Sequence, residues 1–204
     1  MGWQYVNRIL STVAVAIAGA LLSCGGSDSA MKSSADICDC RPTTAAADDY
    51  RHAAKHVPLP GGIPTEITVG TILSWPDGEP AFDAPRTGRE LQLFHVAHAF
   101  LQFAWVRPGD CDITMEVSET SDRNAARVIV ETPVDGEYCP ARKNLQNQLS
   151  QLGEQVSTNS GELKQPRPVE ITGLAFQDFD HNRGSAKVAT SWELHPATVT
   201  VLPQ

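Results

Sequence analysis

Apolar residues come in separated blocks along this chain, and the spacing inside each block predicts its element. Residues 9–22 (ILSTVAVAIAGALL) are a nearly continuous nonpolar run behind a single Arg8, of signal-segment length and short for a bilayer span of about 20 residues. Residues 66–73 read as a short strand or extended lead-in, stopped by Ser74-Trp75-Pro76-Asp77-Gly78. Residues 89–106 hold three phenylalanines and Trp105 with no Glu or Lys after Glu90, which predicts a long buried strand. Residues 111–119 alternate, with Ile113, Met115 and Val117 on one face and Thr114, Glu116 and Ser118 on the other. Residues 127–132 (RVIVET) make the returning strand of a hairpin. Pro140 then opens a helix, whose Leu145, Leu149, Leu152 and Val156 form one apolar stripe. Residues 169–179, with a bend or bulge expected at Gly173, and residues 192–202 supply two last strands. Strand, strand, strand, helix, strand, strand is the order of an OB-fold, so a mainly β, OB-fold-like five-stranded barrel with one helix between strands three and four is expected.

Between the nonpolar run and the first strand the pattern disappears. Residues 25–62 are rich in Gly, Ser, Ala, Asp and Pro and read as a flexible linker. A short helix over 45–56 interrupts it, with Asp48 and Asp49 early and Arg51 and Lys55 late. His52 and His56 then share a face at i, i+4 spacing; in a polar linker a solvated face is expected rather than a metal site. The predicted organisation is a signal peptide at 1–23, a tether at 24–62 and a barrel domain at 63–204.

The 41% hydrophobic content allows a packed core. Arg8 is the only charged side chain in residues 1–23, so the rest of the chain is one unit more acidic than the net −8 of the whole. That balance argues against nucleic acid as a partner, since a sequence-independent grip on it needs clustered Lys and Arg. The cysteines are Cys24, Cys38, Cys40, Cys111 and Cys139. In an exported chain the even four beyond Cys24 are expected to form disulfides. The 111–119 and 127–132 hairpin places Ile113 near Pro133, which predicts a Cys111–Cys139 bond at one end of it.

Ala20-Leu21-Leu22-Ser23-Cys24 resembles a bacterial lipobox. The resemblance implies cleavage before Cys24 and its acylation with diacylglycerol and palmitate-type chains, hence a lipid bilayer as partner. It also implies an exported protein, lipid-anchored to the cell envelope. Gly25 lacks the aspartate tied to inner-membrane retention, which favours an outer membrane where the host has one.

The candidate chemistry lies near the end of the chain. Phe176-Gln177-Asp178-Phe179-Asp180-His181 is followed by a Gly184 turn and then Trp192-Glu193-Leu194-His195-Pro196. This resembles an uncharacterised group of exported proteins with a C-terminal Asp-x-x-His … Glu-aliphatic-His-Pro motif. The match rests on Asp178, His181, Glu193, Leu194, His195 and Pro196. Residues 181–186 depart from the group's His-Gly-Gln and Ala-Pro-Asn, so no role of that Gln or Asn carries over. The resemblance implies the fold and no activity.

By alternation, Glu193 and His195 share a face with Ala197, Val199 and Val201, so His195 is expected as a hydrogen-bonded core residue partnered by Glu193 or Asp178. The alternative is a metal-dependent, nuclease-like hydrolase with His181, Glu193 and His195 holding a divalent metal such as zinc and Glu193 and His195 acting catalytically. Arg123, Arg127 and Glu131 lack the spacing of the thermonuclease set that shares this fold. The expected function is a binding or scaffolding module without enzymatic activity or cofactor. Its face is Thr114, Glu116, Ser118, Arg127 and Glu131, suited to peptide, glycan or envelope protein.

Overall fold

One long strand that pairs along both of its edges closes this domain into a barrel. The computed structural model describes residues 36–158, 161–179 and 184–203. The expected signal segment, the expected lipidation site Cys24 and His181 lie outside those residues. β1 (Thr65–Glu66) runs parallel to β2 (Leu93–Val106), and β2 pairs antiparallel with β3 (Ile113–Ser118). β3 pairs antiparallel with β4 (Arg127–Thr132), and β4 lies parallel to β6 (Val188–Val201). β6 pairs antiparallel with β5 (Glu162–Gln177), which returns to β2 and completes the ring β2-β3-β4-β6-β5. This is the OB-fold-like Greek-key barrel that the order of elements predicts.

Two details differ from the expectation. The two-residue β1 comes first, so α3 (Cys139–Gln151) falls between strands four and five rather than three and four. Residues after Glu66 are also not extended, because Val69–Leu73 forms a helix, α2. Thr68 caps it: its Oγ1 accepts from Thr71 N at 3.1 Å, satisfying an otherwise orphaned amide. Val69 and Ile72, three apart, then both bury completely. The β-branched residues suggested a strand, and local capping decided for a helix.

The barrel interior holds Val96, Leu101, Ile113, Met115, Val117, Val128, Val130 and Leu194 among other apolar side chains. Leu145 and Leu149 of α3 join this core. α3 stops at Gln151, so Leu152, the next position of the predicted stripe, is 39% exposed.

The stretch expected to be a tether is part of the fold from Asp36 onward. Ile37 and Tyr50 are buried, and Arg51 is 2% exposed. The Arg51 guanidinium forks onto Glu90 at 2.6 and 2.8 Å and donates to the carbonyls of Gln177, Ala84 and Pro85. Arg142, equally buried, donates from α3 to the Ile37, Thr132 and Cys111 carbonyls. Composition reports whether a segment has an amphipathic face. It does not register attachment through cross-links and buried guanidinium groups.

Those cross-links correct the expected disulfide. Cys111 and Cys139 are both oxidised, but Cys38 pairs with Cys139 and Cys40 with Cys111. The hairpin argument was one residue off in register, with Ile113 opposite Thr132. It located both cysteines correctly near one end of the hairpin. The Cys38-Asp39-Cys40 stretch then meets one with each of its own thiols. Two disulfides mark an oxidising, exported environment.

Candidate functional site

A bulge in β6 places the candidate residues. Gly173 of β5 pairs with Ala197, and Ala175 pairs with Leu194, so Leu174 alone stands opposite His195 and Pro196. The extra residue reverses the alternation. Leu194 and Ala197 both belong to the barrel core, whereas Glu193 and His195 point outward, beneath the 36–62 segment. His195 therefore does not share the face of Ala197, Val199 and Val201 that strict alternation assigned to it. Gly173 makes the crowding tolerable, since a Cβ there would sit 2.7 Å from Ala197 Cβ.

His195 is completely buried, and three acidic side chains converge on its ring. Nδ1 lies 2.8 Å from Glu131 Oε2 and 3.3 Å from Glu193 Oε1. Nε2 stands 3.2 Å from Asp112 Oδ2, an ion-pair contact without hydrogen-bond alignment. Burial alone pushes the imidazole toward neutrality, but Asp112, Glu131 and Glu193 together raise its pKa well above the ordinary value. Burial likewise opposes ionisation of Glu131, and the His195 contact overcomes it, holding the carboxyl well below the usual carboxylate range. Lys55, 7% exposed, adds a second cation; against its burial, Glu131, Asp178, Glu193 and Asp49 raise its pKa. Arg86 ties the layers together, donating to the carbonyls of Ala54, Ala175 and His195.

The expected binding face is not a surface. Thr114, Glu116, Ser118, Arg127 and Glu131 are between 0% and 3% exposed. Thr114 donates to Glu131 at 2.6 Å, Glu116 takes Arg127 at 2.8 Å and the Ser185 hydroxyl at 2.6 Å, and Gln102 donates to Ser118 at 2.9 Å. Alternation correctly separated these side chains from the apolar core. What it could not register is the second layer that covers them.

A neighbouring cluster was only half seen. His52 opens α1 (His52–Lys55) and His56 caps its end, their ring centroids 4.0 Å apart. Asp49 Oδ2 lies 2.9 Å from His52 Nδ1 and 3.8 Å from His56 Nε2. Asp135, just past β4, lies 2.7 Å from His56 Nδ1. Burial opposes the charge on His56, and the two aspartates lift its pKa nonetheless. The cluster borders a pocket of about 180 Å³ shared with Pro42, Thr44, Asp110 and Val134. Burial, with Glu131 and Asp112 nearby, pushes Asp110 up to about 6. The His56 ring also lies 6.2 Å from that of His195, so an outer and an inner histidine cluster adjoin.

Two groups of donors are therefore close enough to share a cation among the described residues: Asp112, Glu131 and His195 inside, and Asp49, His52 and His56 outside. In the inner group, the ring is already surrounded by charge. Glu193 and His195 are 1% and 0% exposed, so as catalytic residues they have no contact with solvent. Sequence reasoning paired His195 with Glu193 and missed Glu131 and Asp112, which the β6 bulge and the β3–β4 hairpin bring to it. No family model matches this chain, and no curated protein or solved structure is significantly similar to it.

Proposed function

We propose that this chain is an exported lipoprotein, anchored by acyl chains on Cys24, whose OB-like barrel serves as a binding or scaffolding module at the cell envelope. The observation that carries the reading is the buried charge around His195. The residues with catalytic potential in the sequence are enclosed beneath a disulfide-held segment, where they serve cohesion rather than turnover. Surface for a partner is available elsewhere. An open cleft of about 690 Å³ is bordered by Asp77, Glu79, Ser185 and Thr190. Its acidic, hydroxyl-rich rim suits a basic peptide, a glycan or an envelope protein better than nucleic acid.

No helix among the described residues is long and apolar enough to cross a membrane. In this reading the lipobox-like Ala20-Leu21-Leu22-Ser23-Cys24 supplies the anchor, with an outer membrane favoured in a host that has one. The test is detergent phase partitioning in a bacterial host, with mass spectrometry of the mature N-terminus. A wild-type chain that enters the detergent phase and begins at an acylated Cys24 is the expected result, and C24A should remain in the aqueous phase. A wild-type chain cleaved elsewhere and recovered unmodified overturns the anchor.

A further inference from the structure

We propose that Asp49, His52 and His56 form a binding site for one divalent transition metal of the zinc class, with a coordination position open to the adjoining pocket. Donors about 2.0–2.2 Å from a tetrahedral zinc ion lie roughly 3.3 Å from one another. The Asp49 to His52 and Asp49 to His56 separations, 2.9 and 3.8 Å, fall on either side of that value. A few tenths of an ångström of side-chain motion would bring both to it, and all three donor atoms already lie within 4.8 Å of one another.

His56 carries the strongest sign of a missing ligand. Its side chain is only 10% exposed, and its Nε2 makes no hydrogen bond. The 3.8 Å to Asp49 is too long for one. On the other side of the ring, Nδ1 donates to Asp135 at 2.7 Å. In the neutral ring that bond keeps the proton on Nδ1, so the Nε2 lone pair faces Asp49 and His52. A carboxylate that orients a ligating imidazole in this way is a recurrent companion of metal-bound histidine. An unpartnered buried lone pair otherwise costs free energy, and a cation removes that cost.

The donor set selects the class of metal. Two imidazole nitrogens and one carboxylate suit zinc and its neighbours, whereas calcium and magnesium take oxygen ligands. Lys55 Nζ does not block the site. It lies 3.6 Å from Asp49 Oδ1, leaving Oδ2 for the ion. Glu131, Asp178 and Glu193, together with Asp49 itself, offset its charge. Three protein ligands beside a pocket leave room for a water molecule or a small donor group from a partner. The site is independent of lipid anchoring and stands or falls without it.

The full-length protein, stripped with chelator and dialysed against micromolar zinc, is assayed for bound metal by mass spectrometry; cobalt substitution reports geometry through visible absorption. We expect one zinc per chain, no uptake of calcium or magnesium at the same concentration, and tetrahedral cobalt bands. H52A and H56A should abolish binding, D135N should weaken it by roughly 10- to 100-fold, and H98A should behave as wild type. His52 is 37% exposed, so H52A is expected to keep its melting temperature in the presence of chelator, separating loss of metal from loss of fold. Zinc uptake by H52A equal to that of wild type overturns the site. So does retention in H52A with loss in H195A, which would assign the ion to the inner cluster.

Discussion

The two histidine clusters lie side by side, and they treat the same chemistry in opposite ways. Around His195 every neighbour is buried and the ring is enclosed by Glu131, Glu193 and Asp112. Around His56 one ring nitrogen is held by Asp135, the other has no hydrogen bond, and a pocket opens beside it. Solvent access sets the difference. Removing water makes charge pairs strong and also makes their mutual satisfaction obligatory, so an enclosed imidazole becomes structural. A half-open one keeps a lone pair available for a ligand.

The covering segment maintains this difference, and its removal should have the largest effect. The Cys38–Cys139 and Cys40–Cys111 bonds span 101 and 71 residues. The chain-entropy model assigns loops of that size about 4 to 5 kcal/mol each, an upper figure here because one loop lies inside the other. Replacing all four cysteines with serine should lower the melting temperature by roughly 10 °C or more, since each kcal/mol moves a domain of this size by about 2 to 4 °C. Calorimetry measures it, and a shift of only a few degrees would mean the segment stays docked without its bridges.

A direct contrast comes from truncating one histidine in each cluster. H195A leaves buried carboxylates without their cation, and breaking a buried pair in this way costs about 3 to 5 kcal/mol. H52A removes a partly exposed ring, for which a surface ion pair suggests about 1 kcal/mol at most. Thermal melts of the two variants in chelator should differ accordingly. Equal losses would erase the distinction between the clusters.

The smallest effect, and the sharpest diagnostic, is pH dependence. The raised pKa of His195 means that its stabilisation is fully present below about 6.5 and is lost as pH rises through the folded-state value. Glu131, depressed, contributes above its ordinary value near 4.5 and loses that contribution as pH falls through its folded-state value. Asp110, raised to about 6, favours the acidic side as well. Stability should therefore be highest near pH 4.5, fall between there and about pH 6 as Asp110 ionises, and decline again above about pH 6.5, by up to about 1.4 kcal/mol per pH unit for His195 alone. H195Q should flatten the alkaline decline, and an unchanged slope in that variant would remove His195 as its cause.

Much of the barrel was legible because its strands are self-consistent. Met115 and Val117 against Glu116 and Ser118 state which side faces the core, and Pro140 with Leu145 and Leu149 states where α3 starts and what it covers. The site was legible only in parts, because it is assembled from elements that are locally unremarked. Asp112 follows a cysteine in a turn, Glu131 reads as the polar side of a hairpin, and Asp49 sits in a stretch without periodicity. Nothing within a few residues of each announces the others. The spacing of Asp49, His52 and His56 was visible, but its value depends on whether the stretch is docked. That in turn depends on Cys38 and Cys40 finding partners far along the chain.

The β6 bulge has a consequence for length variation in this strand. Side chains 194 and 197 both face the core with two residues between them, so an insertion has in effect already been absorbed between two correctly phased halves. Deleting Pro196 alone would restore plain alternation with every remaining β6 side chain on its present face. Deleting one residue on either side of the bulge would instead turn half of the strand over, exchanging apolar for polar side chains across the barrel wall. Within a single strand, tolerance to the loss of a residue thus depends on where the gap falls more than on which amino acid is removed.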